Sequence, residues 1–196
     1  MILTMITQSL MGLKRDFWGT IAAWQNKRPI WILIGGSALF LELFSWAFFQ
    51  NYLGLKPCEL CVYIRFAMIG LFIGAMAGVV NPRILVLKLF AYAASAWWII
   101  QGLIWNYQLH MENIQAASSE FMGICADTSL RFPFGLKLNL WLPSHFQPKG
   151  LCGVDSNWAF MGFTMPEWLF FVYGAYVVLI TCMAAAWVRD MLKRRG

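Results

Sequence analysis

Cys58 and Cys61 stand three residues apart in KPCELCVYIR, where one apolar stretch gives way to the next. Cys125 and Cys152 form a wider pair in the longest polar segment of the chain. CxxC is the spacing of redox-active dithiols, and a helix N-terminus favours the thiolate there. Two cysteine pairs on one face can pass electrons by thiol–disulfide exchange, which needs a thiolate attacker and a reachable sulfur. Two plainer readings stand beside this one. A Cys125–Cys152 bridge could be a structural staple worth roughly 3–4 kcal/mol. Four cysteines could also hold zinc, but structural zinc usually takes two short-spaced pairs and only one is short here. Cys182, within the last apolar stretch, reads as a small packing residue.

Arg65 follows Cys61 by four residues, so both share one helix face. A cation there favours the thiolate or a bound anion, and an arginine just inside a membrane segment is otherwise costly. Glu42, in FLELFSW, is an acid inside the first apolar stretch, expected either to be protonated and bonded to a neighbouring helix or to partner Arg65. A disulfide relay must unload two electrons, and the sequence shows no haem, flavin or iron–sulfur motif. In a bilayer the available acceptor is a quinone, expected where the first two spans meet the surface. His110 is a candidate hydrogen-bond donor to a quinone oxygen, while His145 reads as a solvated loop residue.

The elements that must position these residues are membrane helices. The chain is 60% apolar and only 12% charged, against about 25% charged for a soluble domain. Four stretches reach the length of about 20 apolar residues needed to span a bilayer: 29–50, 62–80, 84–105 and 168–188. Lys88 lies near the start of the third, which moves the expected lipid-buried part to Leu89 onward. Asn81-Pro82 marks a tight turn between the second and third spans. The expectation is an all-α, integral membrane four-helix bundle, a single domain over 1–196. Redox loops 51–61 and 106–167 lie on one side, and tails 1–28 and 189–196 on the other. Residues 1–28 form either an interfacial helix, with Phe17, Trp18 and Trp24 at the lipid surface, or an open tail. Leu138, Leu140, Trp141 and Leu142 form a short apolar piece that either lies on the membrane or packs on the bundle. No cleavable signal peptide is expected, because the chain turns basic only at Lys14.

The net charge of +6 follows topology rather than a nucleic-acid surface. Lys14, Arg15, Lys27, Arg28, Arg83, Lys88, Arg189, Lys193, Arg194 and Arg195 fall on one side. Lys56, Arg65, Arg131, Lys137 and Lys149 fall on the other. By the positive-inside rule both termini are cytoplasmic and the four loop cysteines face outward, to the side where disulfides persist.

At these residues the chain resembles the DsbB/DsbI family of bacterial inner-membrane disulfide-forming proteins. LELFSW, KPCELCVYIR, the RFP that follows Cys125, WLP, and the run WAFMGFTMPEW into the last span carry the resemblance. The redox CxxC of the vitamin K epoxide reductase family sits instead on a later helix. The resemblance implies a thiol:quinone oxidoreductase with ubiquinone or menaquinone as acceptor. It implies that Cys125 forms the mixed disulfide with a periplasmic thioredoxin-fold oxidase of DsbA or DsbL type. Cys152 would resolve it and exchange with Cys58, and Cys61 would be the thiolate next to the quinone. Arg65 matches the arginine that supports quinone reduction, Glu42 aligns with an acid of the first span, and His110 lies near the quinone-side histidine. The methionine expected three residues beyond that histidine is Asn113 here. CVYIRFAM, NPRILVLKLF and the basic N-terminal tail lean to the DsbI branch; the compact loop and MPEW resemble DsbB. The competing reading is a non-catalytic membrane scaffold with two structural disulfides.

Overall fold

The computed structural model describes residues 17–118, 132–150, 152 and 158–193. Helix α1 covers Phe17–Trp24 and packs along the end of the last helix. Helix α2 covers Arg28–Phe44, with Pro29 in its first turn, where a missing N–H costs nothing. It continues without a break into a π-helical stretch, Ser45–Tyr52. Helix α3 covers Glu59–Val80 and ends where Asn81 turns extended before Pro82. Helix α4 covers Leu85–Ser118. Two short helices, α5 (Leu138–Trp141) and α6 (Pro143–Phe146), follow in the connection. A hairpin of β1 (Ala159–Phe160) and β2 (Phe163–Thr164) leads into helix α7, Met165–Lys193.

Four of these helical segments are long and apolar enough to cross a membrane: 28–52, 59–80, 85–117 and 165–193. The expected spans 29–50, 62–80 and 168–188 lie inside three of them, and the third begins at 85, one residue later than the expected 84. The third runs well beyond 105, because residues 106–118 contain neither glycine nor proline to stop it. Of the tail 1–28, the segment 17–24 is helical, and residues 1–16 lie outside the described residues. The apolar piece divides between the two readings: Leu138 packs against the cluster of Val62, Phe66, Phe132 and Phe146, whereas Leu140, Trp141 and Leu142 are exposed.

Helix α3 is the central element, packed against α2 and α4. Its buried side holds Ile64, Met68, Leu71 and Ala75, against Trp31, Ile34 and Ala38 of α2 and Ala91, Tyr92 and Ile99 of α4. Outward, Phe40, Ile73, Phe90, Trp97, Ile100 and Val178 are exposed. A bundle with an apolar outer surface needs lipid around it. Association of such helices rests on close packing through small residues, and α3 supplies them. A methyl group on Gly70 would enter the ring of Trp98, and one on Gly78 the ring of Trp31.

At the end of the bundle away from the CxxC, Lys88 is buried yet bonded. Its Nζ donates to Asn26 Oδ1 at 2.8 Å and lies 4.9 Å from the Trp187 ring centre. Nearby, Tyr92 donates to Gln25 Oε1 at 2.8 Å and Trp31 Nε1 to the Gln25 carbonyl at 3.0 Å. These bonds tie the residues joining α1 and α2 to α4 and explain how a lysine is tolerated inside the third span.

Replacing Gly78 by alanine should lower stability by about 1–3 kcal/mol through overpacking. Gly36→Ala, where a methyl group meets nothing within 4 Å, should be near neutral. Thermal unfolding in detergent distinguishes the two.

Candidate active site

Cys58 is the N-cap of α3. Its backbone is extended, and its Sγ accepts the N–H of Cys61 at 3.3 Å. A sulfur therefore occupies the place that a serine or aspartate oxygen usually fills at a helix start. Cys61 sits in the first turn, where unpaired N–H groups point toward the chain end. Arg65 lies one turn further along the same face.

The connection between α4 and α7 reaches this point through backbone bonds. Lys149 and Gly150 N–H groups both donate to the carbonyl of Pro57, at 2.9 and 3.1 Å. Two residues later Cys152 is fully buried, within side-chain hydrogen-bonding reach of Cys58. Cys58, itself 0% exposed, thus stands between two sulfurs, Cys61 on its own helix and Cys152 from the loop. The hydrogen bonds with Cys152 and then Cys61, followed by burial, push the Cys58 thiol well above the ordinary cysteine range. Cys125 lies outside the described residues. Cys182 is half-buried on α7.

Arg65 is buried, and its guanidinium donates to Gln50 Oε1 at 2.7 Å and makes a longer contact of 3.5 Å to the carbonyl of His145. Gln50 Nε2 donates in turn to the Ser144 carbonyl at 2.8 Å. Glu42 does not pair with Arg65. Its carboxylate Oε1 lies 2.6 Å from His145 Nε2. Neither expectation for Glu42 had the loop as its partner, and His145 is only partly solvated: its ring is packed beside Trp46 and Phe146, and its side chain is 18% exposed. No local pattern could reveal this pair, whose members are 103 residues apart. His110 lies on α4 with its ring edge-on to Phe170, 5.7 Å between centres.

Arg65 and Glu42 also line a cavity of about 340 Å³. Its walls are Leu41, Phe44 and Phe49 from the first span, Ile64 and Met68 from α3, and Trp168, Leu169 and Val172 from α7, with Trp158 and Phe160 of the hairpin. His110 is not among the lining residues. The cavity lies between the first two spans, and the fourth span and the hairpin complete its walls. The hairpin turn, Met161-Gly162, has positive φ at both positions (53° and 83°), the geometry that matches strand twist in a two-residue loop. Glu167 holds the start of α7 by accepting from the Thr164 N–H at 2.6 Å and its hydroxyl at 2.8 Å. Trp168 Nε1 donates to the Phe160 carbonyl at 3.2 Å. The aromatic wall is therefore anchored at both ends of the hairpin. An apolar cavity of this size with few polar groups is the usual form of a small-molecule site. Among the described residues no cluster of side chains is arranged to hold a metal ion.

A membrane helical bundle with a CxxC at a helix start, a third cysteine against it and an apolar cavity alongside defines a membrane thiol-redox protein. Comparison with known families agrees: residues 27–183 match the disulfide bond formation protein DsbB model, and the chain belongs to the DsbB family. It is 36% identical to disulfide bond formation protein B of Haemophilus influenzae, over 87% of this chain and 93% of the relative. It is 35% identical to a DsbI-named protein of Shewanella oneidensis, over 89% and 88%. It is 30% identical to the protein-disulfide oxidoreductase DsbI of Escherichia coli O1:K1, over 89% and 92%.

In the reduced chain Cys58 should be alkylated well after Cys61, because it is more deeply buried and retains its proton. A thiol whose folded pKa is raised stabilises the fold below its unfolded value, about 8.5, and that contribution is lost as pH rises toward the folded value. The thermal midpoint should therefore fall above about pH 8.5, and fall less in Cys58→Ser. Mass spectrometry of timed alkylation and a pH series of melting curves test both.

Proposed function

We propose that this oxidoreductase re-oxidises a periplasmic thioredoxin-fold dithiol protein of DsbA or DsbL type and delivers the electrons to a membrane quinone, ubiquinone or menaquinone. It would sit in the bacterial inner membrane as a single domain, with both termini cytoplasmic and the cysteine-bearing loops periplasmic. The observation that carries this reading is the position of Cys58 between Cys61 and Cys152, beside an apolar cavity that contains Arg65.

The family resemblance supplies the sequence of exchange, and the order Cys61, Cys58, Cys152 fits it. A thiolate of the partner attacks the Cys125–Cys152 disulfide at Cys125 and releases Cys152. The Cys152 thiolate attacks Cys58 of a Cys58–Cys61 disulfide, forming Cys58–Cys152 and breaking Cys58–Cys61. Cys61 leaves as the thiolate, at a helix start and one turn from Arg65, where positive charge favours it. The second partner thiol then resolves its bond to Cys125, and the Cys125 thiolate recovers its bridge with Cys152 by attacking Cys152. That step releases Cys58. The partner has lost two electrons and the Cys58/Cys61 pair has gained them.

The cavity suits a quinone ring: its walls are aliphatic and aromatic, and the Arg65 guanidinium can donate to a carbonyl oxygen. A bound quinone supplies a two-electron, two-proton sink. Arg65 would hold that oxygen as negative charge develops on it, with Gln50 fixing the guanidinium. Trp158, Phe160 and Trp168 would exclude water from the ring. His110, the quinone-side histidine by the resemblance, stands outside the cavity walls with its ring against Phe170 of α7. The branch within the family is proposed to be DsbI, on the basic N-terminal tail and the sequence around the CxxC.

Reconstituted protein, a short-chain ubiquinone and a reduced partner should give quinone reduction followed by absorbance. Cys61→Ser and Cys125→Ser should abolish it, and Arg65→Met should slow it by about 10²-fold, the effect of losing one donor to a developing oxyanion. Reduction with a DsbL-type but not a DsbA-type partner would place the chain on the DsbI branch. No reduction with either, in protein shown to be folded, would overturn the reading in favour of a scaffold.

A further inference from the structure

Closing the Cys58–Cys61 disulfide forms one S–S bond and breaks two S–H bonds, and a quinone that takes the two electrons must also take two protons. The cavity makes that second requirement difficult. Among its lining residues Glu42 is the one carboxyl group, and Arg65 stays charged. Glu42 is itself closed off, with a side chain only 2% exposed. It needs a donor that reaches solvent. His145 Nε2 is 2.6 Å away, and the His145 side chain is 18% exposed. A histidine is the side chain whose ordinary titration falls nearest neutral pH.

We propose that His145 and Glu42 form the proton inlet of the cavity: His145 takes protons at the loop surface and passes them through Glu42 to the reducible ligand. This rests on the quinone reading above. Glu42 faces the cavity, whereas His145 acts through Glu42 and is a relay and positioning residue. Each turnover carries two protons inward along His145 and Glu42, one for each oxygen of the quinone, and the protons lost by the thiols leave on the loop side, so the sum is two thiols plus quinone to disulfide plus hydroquinone. The groups that face the pair are few. Arg65 of α3 approaches the His145 carbonyl, and Tyr173 of α7 lies within electrostatic reach of Glu42. Trp46 of the first span and Phe146 of the loop present rings to the imidazole. The π-helical stretch supplies Gln50, which ties Ser144, the neighbour of His145, to Arg65. The relay is therefore held at both its ends by the same hydrogen bonds that dock the loop.

The full-length chain, reconstituted with a short-chain ubiquinone and a reduced partner, tests the inlet. His145→Ala should slow quinone reduction by about tenfold or more, and added imidazole should restore the rate, with the rescue tracking the basicity of substituted imidazoles. Wild type should not respond to imidazole. A second measurement needs no quinone. The chain has two histidines, so nitrogen-15 labelling of histidine gives two sets of ring signals, which His145→Ala assigns. Glu42→Gln should change the ring-nitrogen shifts of His145 at fixed pH, because its partner at 2.6 Å is altered, and leave those of His110 in place. An unchanged rate in His145→Ala, a loss that imidazole does not restore, or His145 ring signals indifferent to Glu42→Gln would each overturn the inlet. A wild-type chain that oxidises its partner yet passes no electrons to quinone overturns the acceptor reading first, and the inlet with it.

Discussion

Residues 144–150 are bound to the mouth between the first two spans by polar contacts drawn from three places. Gln50 takes the Ser144 carbonyl, Glu42 takes the His145 ring, and the Pro57 carbonyl takes the N–H groups of Lys149 and Gly150. Together with the packing of Phe132 and Phe146 on Val62 and Phe66 of α3, they bring Cys152 to Cys58. Thiol exchange requires sulfurs in contact and in line, so this docking decides whether two cysteine pairs form a relay or remain two separate bridges. The same contacts fix Gln50, and through it the guanidinium of Arg65. The geometry of the sulfurs and the electrostatics of the cavity thus rest on one set of bonds.

Those bonds also resolve a problem of burial. An arginine, a glutamate and a glutamine near the end of an apolar bundle would each be expensive alone. Here each has a partner supplied by another segment, so the interior polar groups are satisfied only when the loop is seated. Apolar neighbours strengthen such contacts, since a lower local dielectric raises the value of each hydrogen bond and the penalty for losing it. The loop is therefore part of the bundle's polar core and not an appendage to it.

Most of the helical architecture was legible in the sequence because apolar length and the Asn81-Pro82 stop are local signals. The overrun of the third helix was legible only in part: polar residues at 106–118 resembled a loop, yet they include no breaker. Cys61 in the first turn follows from where the apolar stretch begins, whereas the helix starts at Glu59, before that stretch, which makes Cys58 the cap. The partners of Glu42 and Gln50 do not, since contacts between residues about a hundred positions apart leave no periodicity to read. The hairpin at 159–164 escaped for another reason: two-residue strands are too short to show alternation, and its turn places methionine at a positive φ where asparagine or glycine is usual. Its consequence was that the fourth span's share in the cavity could not be foreseen. Cys125 lies beyond the described residues, so its place in the relay rests on the family.

The π-helical stretch at Ser45–Tyr52 bears on how the first span can change. Wider turns, with the Leu53 N–H reaching back to the Phe48 carbonyl at 2.9 Å, accommodate one more residue in the same rise than an α-helix would. Phe49 and Gln50 are thereby phased onto the side of Glu42 and Ser45. The span thus has a local reading frame: relaxing a wide turn to α geometry with every residue kept would rotate the part beyond it by about 100°. Every side chain would survive such a change in kind, and the span would still be long enough for the membrane, but the residues beyond it would turn away from Arg65 and the loop. The wide turns hold the phase of this segment, a constraint separate from hydrophobic thickness.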